Sequence, residues 1–109
     1  IDRIIASQLV MREKRFTARL KPSDVFDEYK GVKTDVTVII QGAVDLAFVE
    51  DGKLVIVDYK TDRVKDITKL AGLYKKQLYL YKSAMEQSEE LTVKECILCS
   101  IHLGAYITV

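Results

Sequence analysis

The stretch Gly42–Lys60, GAVDLAFVEDGKLVIVDYK, decides how this chain folds. Two runs dense in Val, Leu, Ile and Phe flank Asp51-Gly52, a pair suited to the positive φ angles of a two-residue hairpin turn. Such a turn pairs Glu50 with Lys53, Val49 with Leu54 and Ala47 with Ile56. The same register sets Asp45 opposite Asp58, with Cβ atoms about 4.5–5.5 Å apart. Alternation along the second strand puts Leu54, Ile56, Asp58 and Lys60 on one face, with Lys60 opposite Ala43. Like charges placed opposite each other are destabilising unless a shared proton, a neighbouring cation or a bound metal neutralises them. Clustered carboxylate oxygens suit a hard divalent ion such as Mg2+, which keeps several waters and takes phosphate as a further ligand. The plainer alternative is a surface ion pair between Asp58 and Lys60. The apolar start of their shared face argues instead for the charged end of a cleft.

Working outward, Ile4, Ile5, Gln8 and Leu9 have helical spacing within Ile1–Val10, and Glu13–Leu20 reads as a first strand. Pro22-Ser23-Asp24 is helix-start chemistry, with Val25, Phe26 and Tyr29 as a short apolar patch. Val36–Gln41 adds β-rich sequence ahead of the hairpin, and Gly42 permits close approach of a backbone or ligand. A long helix is expected over Ile67–Glu86, with Leu70, Leu73, Tyr74, Gln77, Leu78, Tyr81 and Met85 on one stripe. Val93–His102 and Ala105–Val109 read as strands around Gly104. The order is α-β-β-β-α-β-β, an α/β (α+β) chain with a mixed β-sheet flanked by helices.

Composition sets the outer limits. The 109 residues allow one domain, and 49% apolar with 30% charged residues argues against disorder. No apolar run approaches the roughly 20 residues that span a bilayer, so no membrane partner is expected. Net charge is +1, but residues 60–82 carry seven basic side chains against Asp62 and Asp66. By itself that block reads as a solvated helix face rather than a phosphate-binding one. Cys96 and Cys99 lie three apart in a β run and so point to opposite faces, which fits no metal or redox pair. A reducing, cytoplasmic setting is the default. The start at Ile1, without an initiator Met, reads as part of something longer.

Gly42-Ala43-Val44-Asp45, Val57-Asp58-Tyr59-Lys60-Thr61-Asp62 and Tyr74-Lys75-Lys76-Gln77-Leu78 with Tyr81 together resemble the nuclease domain of the AddA/RecB-type helicase–nucleases. These are a branch of the PD-(D/E)xK, restriction-endonuclease-like superfamily. The resemblance covers Glu13 to the end of the chain, and residues 1–109 are read as one such nuclease domain. It implies that Asp45 and Asp58 bind metal together with the backbone carbonyl of Tyr59. It implies that Lys60 is the catalytic lysine, as proton acceptor or electrostatic clamp, and that Gln77 and Tyr81 support the site from a neighbouring helix. Glu13 resembles a further acidic metal ligand on the first strand. The implied cofactor is Mg2+ or Mn2+. An iron–sulfur cluster, which some relatives hold through four cysteines, is not expected from two. Relatives usually add a metal-binding His from an upstream helix. His102, far downstream, does not match it, so that helix is expected ahead of Ile1 and the fragment is expected to be impaired without it.

The function implied is metal-dependent phosphodiester hydrolysis of DNA, as the exonuclease of a helicase–nuclease acting in double-strand-break repair. The implied partners are DNA, a helicase part of the same parent chain and a second nuclease/helicase subunit. No Gly-x-x-x-x-Gly-Lys-Ser/Thr loop is present, so ATP binding would lie outside this sequence. The alternative is a non-catalytic DNA-end-binding or subunit-docking module. A stand-alone restriction-type nuclease is a weaker rival, because nothing here reads as a sequence-recognition element.

Overall fold

The computed structural model describes residues 2–7 and 9–109. Gln8, one of the expected helical positions, lies outside the described residues, as does Ile1. Helix α1 (Asp2–Ala6) leads into strand β1 (Val10–Leu20). Helix α2 (Pro22–Val25) follows with Pro22 in its first turn, and a 3-10 turn covers Asp27–Tyr29. Phe26 and Tyr29 stack loosely on each other, 6.1 Å between centroids, and stay 45% exposed, so the expected apolar patch does not join the core.

Strand β2 (Val38–Glu50) is one element of 13 residues, where the sequence suggested two runs broken near Gly42. It turns through Asp51 (φ 54°) and Gly52 (φ 72°) into β3 (Lys53–Lys60), the two-residue turn expected. Helix α3 (Ile67–Glu89) is capped by Asp66, whose side chain accepts the Thr68 N–H at 2.9 Å. It runs three residues past the expected end at Glu86, to a left-handed Glu90. Strands β4 (Val93–Ser100) and β5 (Ala105–Thr108) complete the chain. His102 therefore lies exposed in the turn between them, not on a strand.

The sheet order is β1-β2-β3-β4-β5, antiparallel at every step except β3–β4, which is parallel across α3. This is the mixed sheet flanked by helices that the sequence implied. One face packs Phe16, Val44, Ala47, Leu54, Ile56 and Cys96 against Ala84 and Met85 of α3. The other packs Leu46, Phe48, Val55, Val57 and Ile97 with Ile4 of α1 and Cys99. The two cysteines thus sit on opposite faces. Leu73, expected on the buried stripe of α3, is 65% exposed. At 100° per residue it lies about 110° from the centre of the stripe that Leu70, Leu78 and Met85 define.

Candidate active site

The β2–β3 ladder follows the expected register, from Glu50↔Lys53 through Val49↔Leu54 and Ala47↔Ile56 to Leu46↔Val57. There it stops. Beyond that point β2 continues only with β1, while β3 continues with β4 through Asp58↔Leu98 and Lys60↔Ser100. The sheet forks, and the next pair in register, Asp45 and Asp58, stands in the crotch. Lys60 consequently faces no Ala43, which pairs with Arg15 instead. The fork is closed by a side chain: Asp45 Oδ2 accepts the Tyr59 backbone N–H at 2.8 Å, replacing the ladder carbonyl.

A second irregularity frees Asp45. On β2, Val49 and Ala47 face α3, Leu46 and Phe48 face α1, and then Val44 faces α3 again. Strict alternation would give Val44 the face of Leu46, so the strand slips by one residue at Asp45. On β1, Met11 and Phe16 both face α3 in the same way, with Glu13 between them at φ 48°. Both strands slip together, so the pairs on either side, Arg12↔Leu46 and Lys14↔Val44, keep register while Glu13 and Asp45 leave the ladder. Glu13, Arg12, Asp45, Leu46 and Tyr59 line an open depression of about 560 Å³ at this point.

Asp58 is buried at 4% exposure. Lys60 Nζ lies 3.0 Å from its Oδ2, yet no donor is angled at that oxygen, which has no hydrogen bond. Lys60 instead donates to Gln77 Oε1 at 2.9 Å and sits over the Tyr74 ring, 4.0 Å from its centroid. Tyr74 in turn donates its hydroxyl to the Asp62 carboxylate, 3.0 and 2.9 Å from the two oxygens. Burial pushes the Asp58 carboxyl up; Lys60 opposes this and the adjoining Asp45 carboxyl adds to it. Burial works against the Lys60 charge, but Asp58 outweighs it and the ammonium form is favoured. Burial, with the Asp58 charge next, raises the Tyr81 phenol. Tyr81 packs edge-on against Phe16, 5.4 Å between centroids.

The structure therefore brings together Asp45, Asp58, Lys60, Gln77 and Tyr81, and keeps Tyr59 at the fork through its backbone. Glu13 shares the depression, but no group of three or more His, Cys, Asp or Glu side chains converges among the described residues. The donor set at hand is two adjoining carboxylates, one of them buried and ion-paired with Lys60. That fits a hard divalent ion that completes its shell with water and phosphate. Tyr74 and Asp62 are in the motifs, but nothing in the sequence showed that they meet around Lys60; the i, i+3 spacing of Tyr74 and Gln77 on α3 was the available signal.

A helix-flanked mixed sheet with two acidic residues at a strand fork and a lysine two positions on defines a class. The chain belongs to the PD-(D/E)XK nuclease superfamily, whose sequence model matches residues 2–105. It is similar to the ATP-dependent helicase/nuclease A subunit of Clostridium acetobutylicum, with 33% identity over 110 residues, covering 99% of this chain and 9% of the relative. The protein of the same name in Clostridioides difficile strain 630 is 35% identical over 105 residues, covering 87% of this chain and 8% of the relative. That of Clostridium botulinum strain 657 is 33% identical over 108 residues, covering 98% and 8%. The chain thus spans less than a tenth of the length of these relatives. No described helix is long and apolar enough to cross a membrane.

Proposed function

We propose that this domain hydrolyses phosphodiester bonds of DNA with a divalent metal, Mg2+ or Mn2+, held by Asp45 and Asp58, and that it serves as the exonuclease of a helicase–nuclease in double-strand-break repair. The observation that carries the reading is the buried Asp58 carboxylate, paired with Lys60 at 3.0 Å and standing beside the second carboxylate of Asp45. Two adjoining carboxylates sharing one lysine are relieved by a further cation, which supports a divalent ion at this point. The names of the relatives support the helicase–nuclease setting, with the motor in other parts of a longer chain.

When bound, the ion supplies Lewis-acid polarisation of a phosphoryl oxygen and lowers the pKa of a water. The chain's own residues do the rest. Asp45 bridges the fork through Tyr59 N–H, so its carboxylate is fixed to both strands. The Tyr59 carbonyl follows on the same segment as a candidate third ligand. Lys60, favoured as an ammonium by Asp58 and donating to Gln77, presents positive charge to the phosphoryl group where negative charge develops. In the metal-free site this supports the electrostatic clamp over the proton acceptor for Lys60. Tyr81 walls the site against Phe16.

Incubation of the domain within its longer parent chain, with single-stranded DNA and Mg2+ or Mn2+, tests the reading. Cleavage by the wild type that disappears in Asp45→Ala and Lys60→Ala supports it. Binding without cleavage under either metal points instead to a DNA-end-binding or subunit-docking module.

A further inference from the structure

Lys60 ends in an ammonium on a flexible four-carbon stem, so its placement depends on what holds the head group. Asp58 holds it only in part: its Oδ2 forms an ion pair with Nζ at 3.0 Å but without aligned hydrogen-bond geometry, and the same carboxylate is a candidate metal ligand. The remaining neighbours are neutral. Gln77 Oε1 takes one N–H, and the face of Tyr74 lies 4.0 Å from Nζ. Neutral holders fix a cation without cancelling its charge or competing for the carboxylate.

The Tyr74 ring is itself anchored. Its hydroxyl donates to Asp62, two residues beyond Lys60 on the segment leaving β3, whereas Tyr74 belongs to α3. The ring therefore braces helix to strand exit directly beneath the ammonium. Donation to a carboxylate also leaves the phenol richer in electrons, which strengthens its face toward a cation.

We propose that Tyr74, anchored by Asp62, is the positioning residue that holds the Lys60 ammonium in the site, an inference that rests on the nuclease reading only for its catalytic consequence. The geometry itself is testable without metal or DNA. A proton over an aromatic face is shifted upfield, so the Lys60 ε-methylene signal in the metal-free protein reports the contact. It is expected upfield of the other lysines in the wild type, to move partway back in both Tyr74→Phe and Asp62→Ala, which break the same anchor, and to return to the ordinary position in Tyr74→Leu. With single-stranded DNA and Mg2+, Tyr74→Leu is expected to lower kcat about tenfold or more with KM unchanged, as a misplaced catalytic group does. Tyr74→Phe, which keeps the ring but not its anchor, is expected to lose less than Tyr74→Leu and to match Asp62→Ala.

An unshifted Lys60 signal in the wild type overturns the proposal, as does a Tyr74→Leu variant with wild-type shift and kcat. If the domain in its longer parent chain cleaves under no condition, the nuclease reading fails, and the methylene shift alone decides whether Tyr74 positions the lysine.

Discussion

Asp58 is where the electrostatics of the site turn. A carboxyl whose folded-state pKa is raised costs stability once the pH exceeds its unfolded value, because the fold must then hold a charge it disfavours. Asp45→Asn removes the adjoining repulsion and leaves an amide oxygen to accept the Tyr59 N–H. It should raise the metal-free melting stability at neutral pH by about 1 kcal/mol. Lys60→Met acts in the other direction: Asp58 is left buried without its cation, at a cost of about 3 kcal/mol. Both variants should lose cleavage, so melting curves recorded in chelator separate charge from folding; stability changes of equal sign would contradict this assignment. That Asp45 and Asp58 come close was legible because Asp51-Gly52 fixes the register of the hairpin, but the ladder stops at Leu46↔Val57 and the two are not a cross-strand pair. The slip at Glu13 and Asp45 was not, since neither position carries the Gly that usually marks an irregular strand.

At the level of elements, Gly42 shows how the sheet is shaped around the site. A Cβ there would stand 2.8 Å from Phe16 Cζ, so the close approach it permits is to an aromatic ring and not to a ligand. Phe16 bears on Tyr81, which links this contact to the site through α3. Gly42→Ala should destabilise the fold by about 1–3 kcal/mol, read from denaturant midpoints, because the ring must leave its place in a packed core. A neutral outcome would mean that the ring has room to retreat. The opposite end of the hairpin is tied by charge. Arg3 pairs with Glu50 and Glu95, and Lys94 with Glu50 and Asp51. Hydrogen bonds from Arg3 first and Lys94 second hold Glu50 down to about 2. A depressed carboxyl contributes stability above its unfolded pKa, here about 4.5, and loses it as the pH falls through about 2. Unfolding midpoints should fall across that window in the wild type and change less in Glu50→Gln; parallel curves would remove Glu50 from the network. These ties join α1, β2 and β4, elements far apart in sequence, so no local pattern announced them. The misplaced expectation of Lys60 opposite Ala43 has the same origin: a hairpin register says where pairing starts, not where a third and fourth strand pull the hairpin apart.

For the whole molecule, the element order was readable because the runs of hydrophobic periodicity were bounded by punctuation at Pro22-Ser23-Asp24, Asp51-Gly52 and Gly104. The parallel step from β3 to β4 follows from the helix between them, since a parallel neighbour needs a crossover. What sequence alone left open is how much of a metal site the fold assembles: two carboxylates in the fork, Glu13 on its rim, and His102 exposed in the last turn. Whether the fork binds a divalent cation therefore decides between a nuclease centre and an internal charge network. Calorimetric titration of the metal-free protein with Mn2+ measures this directly. The predicted result is saturable binding in the wild type that Asp45→Asn weakens about tenfold or more. Absence of binding, or equal binding in the wild type and Asp45→Asn, would contradict the assignment of Asp45 and Asp58 as metal ligands.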